Sequence, residues 1–133
     1  MKKMNARMTS KTVLSLFKES VWTKKPQRPF LEYRDLGSAE ATGGRVGATV
    51  ARAVMAYEPG GGTPRHVHEL DYHLIYILKG WLRTEFEGVG EVVMRAGDCI
   101  TVPGNVPQMH IEYSEDYEVL QVTIPGDVKT ANV

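Results

Sequence analysis

Four histidines, His66, His68, His73 and His110, are the side chains of this 133-residue chain best suited to act together. Three of them fall within eight residues. In an extended strand, residues i and i+2 share a face, with Cα atoms roughly 6.5–7 Å apart. That spacing lets the imidazoles of His66 and His68 converge on one ion. The segment 69–73 leaves room for a bend that brings His73 alongside. Neutral imidazole is the commonest protein metal ligand. Three such ligands leave positions open for water or substrate. Further along, Gln108 and His110 alternate with Met109 and Ile111, so the two polar side chains share one strand face. The pattern predicts one divalent cation held by His66, His68 and His73.

Short strands must carry these residues. Residues 1–20 are polar and basic and read as an arm or a short helix. Residues 24–29 read as a turn or linker, because each proline disfavours helix at the residue before it. From there on, strands are predicted over 30–36, 45–57 (long or broken), 73–78, 81–87, 91–95, 99–102, 109–113 and 117–124. Glycine-bearing turns separate them, and Gly97 with Asp98 reads as a hairpin signal. No amphipathic helix stands out after residue 20. Turn signals every eight to twelve residues argue an all-β sandwich or barrel, and a jelly roll would close off its exposed edges. The division expected is an arm and linker over 1–28 and one barrel domain over 29–133.

Composition excludes several functions. A chain of this length is one domain by expectation. Apolar residues make up 42% and charged residues 24%, as in ordinary globular proteins. Sixteen basic residues balance sixteen acidic ones, which favours neither nucleic acid nor an anionic membrane as a partner. The N-terminal residues lack the apolar run of a secretory signal, and no window reaches the ~20 apolar residues of a membrane span. A cytoplasmic location is expected. The lone cysteine, Cys99, cannot form an internal disulfide and reads as a small buried hydrophobe. Trp81 reads as a core residue.

The stretch Gly60-x5-His66-x-His68-x4-His73-x6-Gly80 resembles the first motif of the cupin family, G-x5-H-x-H-x3/4-E-x6-G. Every spacing fits, but His73 stands where most metal-binding cupins carry glutamate. The second motif, G-x5-P-x-G-x2-H-x3-N, resembles Gly97-x5-Pro103-x-Asn105-x2-Gln108-x3-Glu112. Here Asn105 replaces a turn glycine, and asparagine is one of few residues that tolerate the left-handed conformation. Gln108 replaces the usual histidine. The resemblance covers about residues 45–125. It implies a double-stranded β-helix, a jelly-roll barrel, with a short N-terminal arm or helix. It also implies one bound divalent metal and a homodimer.

By that resemblance the ligands are His66, His68 and His73, completed by Gln108 or, if the strand shifts, by His110. Such a set contains no carboxylate and leaves the ion its full double charge, which favours anionic or enolate-type substrates. Iron, manganese, zinc, nickel and copper all remain open. His110 and Glu69 are the acid–base candidates. Arg52, Met55 and Tyr57 lie on the strand that borders the cavity in cupins and are the candidate substrate contacts. The expected function is that of a metal-dependent enzyme, of dioxygenase type, acting on a small enolisable or diketone-like molecule. A non-redox isomerase or lyase acting on a sugar or carboxylated ligand, and a non-catalytic binding or sensor module, are the alternatives.

Overall fold

The computed structural model describes residues 10–133. The expectation of an arm or helix over residues 1–9 lies outside the described residues. The remainder of that segment holds one 3-10 turn, Phe17–Glu19. Eleven strands follow, with a single four-residue helix, α1 (Ser38–Ala41), among them. No helix among the described residues is long and apolar enough to cross a membrane.

The strands form two sheets. The first has the order β1 (Trp22–Lys25), β2 (Arg28–Asp35), β3 (Gly47–Ala53), β10 (Glu118–Ile124), β5 (Tyr72–Lys79) and β8 (Cys99–Val102). The second has the order β11 (Lys129–Asn132), β4 (His66–Glu69), β9 (Gln108–Tyr113), β6 (Trp81–Phe86) and β7 (Gly90–Arg95). All pairings are antiparallel. The architecture is the expected all-β barrel of two packed sheets.

Strand alternation supplies the core. On β5, His73, Ile75 and Ile77 point inward, while on β6 it is Leu82, Thr84 and Phe86. Ala51, Val102 and Val119 complete this layer, and Phe30, Tyr113 and Tyr117 close one end. Phe30 and Tyr113 stack with ring centroids 4.9 Å apart. The same alternation corrects two expectations. Cys99 is exposed, because on β8 the inward parity belongs to Ile100 and Val102. Trp81 is half-buried on the outer face, because Leu82 and Thr84 take the inside.

Two local readings also differ from expectation. Segment 1–28 contributes β1, and within residues 24–29 only 26–27 form the tight turn of the β1–β2 hairpin, between the paired Lys25 and Arg28. Strand β2 is flanked on both sides, so the free edge at this end belongs to β1. The turn at Gly97 joins strands of different sheets: β7 pairs with β6, and β8 pairs with β5. The hairpin reading failed because a turn's local chemistry does not say which sheet the next strand joins.

One close approach holds the second sheet at the site. The Thr63 amide donates to the His110 carbonyl at 2.9 Å, and the His110 amide donates to Thr63 Oγ1 at 2.9 Å. Gly62 makes this possible, since a Cβ there would collide with the carbonyl oxygens of His110 and Ile111. Gly62→Ala is therefore expected to destabilise the fold by about 1–3 kcal/mol through overpacking. Urea denaturation checks it, and a wild-type midpoint would remove the constraint.

Candidate metal centre

Strand β4 alternates His66 and His68 inward with Val67 and Glu69 outward. His66 pairs directly with Gln108 on β9, and Thr130 of β11 pairs with His68. His73 opens β5 from the opposite sheet. The ring centroids of His66 and His68 lie 4.8 Å apart, those of His68 and His73 5.4 Å, and those of His66 and His110 6.2 Å. His66, His73 and Gln108 are fully buried, at 0%, 2% and 1% exposure. The four histidines and Gln108 thus come together across both sheets.

A hydrogen-bond partner fixes the ring state of three of the four histidines. The Pro64 carbonyl lies 2.7 Å from His66 Nδ1 and can only accept, so Nδ1 carries the proton and Nε2 the lone pair. Gln121 Oε1 lies 2.8 Å from His73 Nε2, so there the lone pair falls on Nδ1. Thr84 gives its hydroxyl proton to the Met109 carbonyl at 2.8 Å. Its oxygen, 3.3 Å from His110 Nδ1, can then only accept, which leaves the His110 lone pair on Nε2. His68 Nδ1 lies 2.8 Å from Thr130 Oγ1.

Two of the atoms freed in this way are left unsatisfied, and a glutamine oxygen joins them. His66 Nε2, His73 Nδ1 and Gln108 Oε1 are buried without a hydrogen-bond partner. Burial pushes the histidines toward the neutral form and takes His68 and His110 down to about 3, with neighbouring imidazoles adding to the effect. Neutral, lone-pair-bearing nitrogens and an amide oxygen suit a divalent cation. Buried polar groups without partners cost about 1–3 kcal/mol each, and a facing cation would offset that. As the side chains stand, no three His, Cys, Asp or Glu among the described residues form a closed ligand group. The fit therefore rests on donor type and orphaned atoms.

The histidines open onto a cavity of ≈ 810 Å³ lined by His66, His68, His110, Tyr33, Tyr117 and Arg28, among others. A narrower pocket of ≈ 230 Å³ adjoins it, past His68 to His73 and Gln121.

A model of the Cupin domain matches residues 53–123, more than half of the chain. The chain belongs to the cupin family. No curated protein matches this cupin by sequence. Among solved structures, it is similar to the polyketide cyclase RemF from Streptomyces resistomycificus, with a TM-score of 0.71 and 20% identity over 92% of this chain and 86% of that one. KdgF from Halomonas sp. gives 0.70 and 16% identity, covering 86% and 94%. HppE in its FeII form gives 0.67 and 13% identity, covering 85% and 60%. At these identities the likeness is one of fold.

Other candidates lie elsewhere in this cupin. Glu69 is exposed and lines an outer depression with Val67, Asp71 and Asn105. Arg52 sits on the face of β3 opposite the buried Ala51, bonded to Glu32 at 2.5 Å and 3.6 Å from the Trp22 ring centroid. Met55 is exposed beyond the end of β3, and Tyr57 packs edge-on against Tyr113. None of these four lines the cavity at the histidines. Asn105 does take the left-handed conformation, at φ 51°.

Gln121, Thr84 and Thr130 were missed, although each bonds a site imidazole. Gln121 did leave a signal, as the lone amide on the inward parity of β10, between Val119 and Thr123. Thr84, between Leu82 and Phe86, left the same kind of mark. Thr130 left none, because β11 is polar and exposed throughout. Loss of a residue that orients a ligand typically weakens metal binding about 10–100-fold. Gln121→Leu is expected to do so for Zn2+ in competition with a chromophoric chelator. An unchanged affinity would show that His73 does not depend on this bond.

Proposed function

We propose that this cupin is a metal-dependent enzyme that acts on a small enolisable molecule bound as its enolate. What carries the reading is the set of buried, unpartnered lone pairs on His66, His73 and Gln108 beside a cavity of substrate size. His66, His68 and His73 would hold the ion through nitrogen, and Gln108 through its amide oxygen. A divalent cation there supplies Lewis acidity toward an enolate oxygen and, where redox-active, electrons for dioxygen.

The chain's own residues supply the rest. All the donors are neutral, so none offsets the charge that attracts an anionic substrate. His110 lines the cavity with its lone pair on Nε2, held there by Thr84. We assign it to accept the substrate's acidic proton, which coordination of the enolate oxygen to the cation would acidify enough for an imidazole of lowered basicity. Tyr33, Leu31 and Tyr117 give the cavity an apolar wall that keeps water from part of the substrate. Glu69 faces away and is not part of this assignment.

A second, non-redox reading uses the same proton transfer without oxygen. The fold this chain shares with RemF, a polyketide cyclase, supports that reading. Two measurements test the proposal. Elemental analysis of freshly purified protein is expected to find about one divalent metal per chain, lost in His66→Ala and in Gln108→Ala; metal-free wild-type protein would sink the reading. Oxygen uptake with a panel of β-diketones then separates the branches. Uptake supports the dioxygenase, turnover without uptake supports the non-redox enzyme, and no turnover under any metal overturns both.

A further inference from the structure

The β1–β2 hairpin brings two cations to the cavity. Lys25 and Arg28 pair across its turn, and both line the cavity with His66, His68 and His110. Arg28 Nη1 donates to the Gln27 carbonyl at 2.9 Å. Among the described residues, neither cation has a carboxylate within ion-pair distance. Arg52, Arg65 and Arg83, by contrast, each have at least one. Lys25 Nζ lies 4.3 Å from the Tyr33 ring centroid. Asp127 lines the same cavity but pairs with neither cation. A half-buried guanidinium without a counter-ion, beside a cavity, is an unfilled anion position.

We propose that Arg28, with Lys25 beside it, clamps the carboxylate of an organic acid whose enolisable end lies toward the histidines. A guanidinium offers two parallel N–H donors that match a carboxylate, and partial desolvation strengthens the pair. The cavity, at ≈ 810 Å³, is within the usual range for small-molecule sites. Tyr33 and Tyr117 would flank the apolar body between the two ends. This deepens the functional reading by naming the substrate class, and it rests on that reading for the orientation of the enolisable end.

The test compares 4-acetylbenzoate with its methyl ester by isothermal titration calorimetry on the full-length protein, as purified and after dialysis against a chelator. The acid should bind about ten- to a hundredfold more tightly than the ester. Arg28→Gln should abolish that preference and Arg28→Lys should restore part of it. Arg95→Gln, an equal loss of charge on exposed β7, should leave it intact. Lys25→Gln should reduce it and carries the test if Arg28→Gln fails to fold. Equal binding of acid and ester, no binding of either, or a wild-type preference in folded Arg28→Gln overturns the clamp. Because the readout is binding, a clamp that holds while turnover fails would sink only the enzyme reading. Metal retention and turnover with no acid preference would sink only the clamp.

Discussion

The site depends on hydrogen bonds that fix which nitrogen of His66, His73 and His110 carries the proton. A free histidine can present either ring nitrogen, and a buried one is determined only when a partner can do nothing but accept. The Pro64 carbonyl plays that part for His66, the Gln121 amide oxygen for His73, and Thr84, its own proton spent on Met109, for His110. The lone pairs of His66 and His73 are left unpartnered, and Gln108 adds a third acceptor. Without those outer partners the same histidines would satisfy one another or the backbone, and nothing would remain to bind.

The barrel exists to bring these partners together. His66 and His68 need β4 extended, Gln108 needs β9 directly opposite, and His73 must arrive from the other sheet. Each supporting residue comes from a further strand: Thr84 from β6, Gln121 from β10 and Thr130 from β11. Antiparallel pairing fixes the register, and a one-residue slip would turn the site outward. Gly62 and Thr63 lock the approach to β9 at His110 itself.

Charge is arranged in the same economical way. The inner donors are neutral, while Lys25 and Arg28 stand on the hairpin at the cavity. Arg52, the arginine that the resemblance placed beside the cavity, instead ties β3 to Glu32 and Trp22 on the outer face. Two arginines in neighbouring strands thus have opposite roles, decided by the side of the sheet each faces.

Much was legible in the chain itself. The spacing of His66, His68 and His73 between Gly60 and Gly80 marked the family, and period-two alternation marked most strands, because both signals are local. Gln108 was singled out by its place in the second motif, and His110 by sharing its strand face. Local signals could not reveal β1 and β11, which are short and polar and hold their place through pairing with β2 and β4. Nor could they say that Cys99 and Trp81 face outward, that Arg28 rather than Arg52 reaches the cavity, or that Gln121 would bond His73. Those outcomes depend on which strands become neighbours, and His73 and Gln121, 48 residues apart in the chain, meet only because β5 and β10 pair within the first sheet.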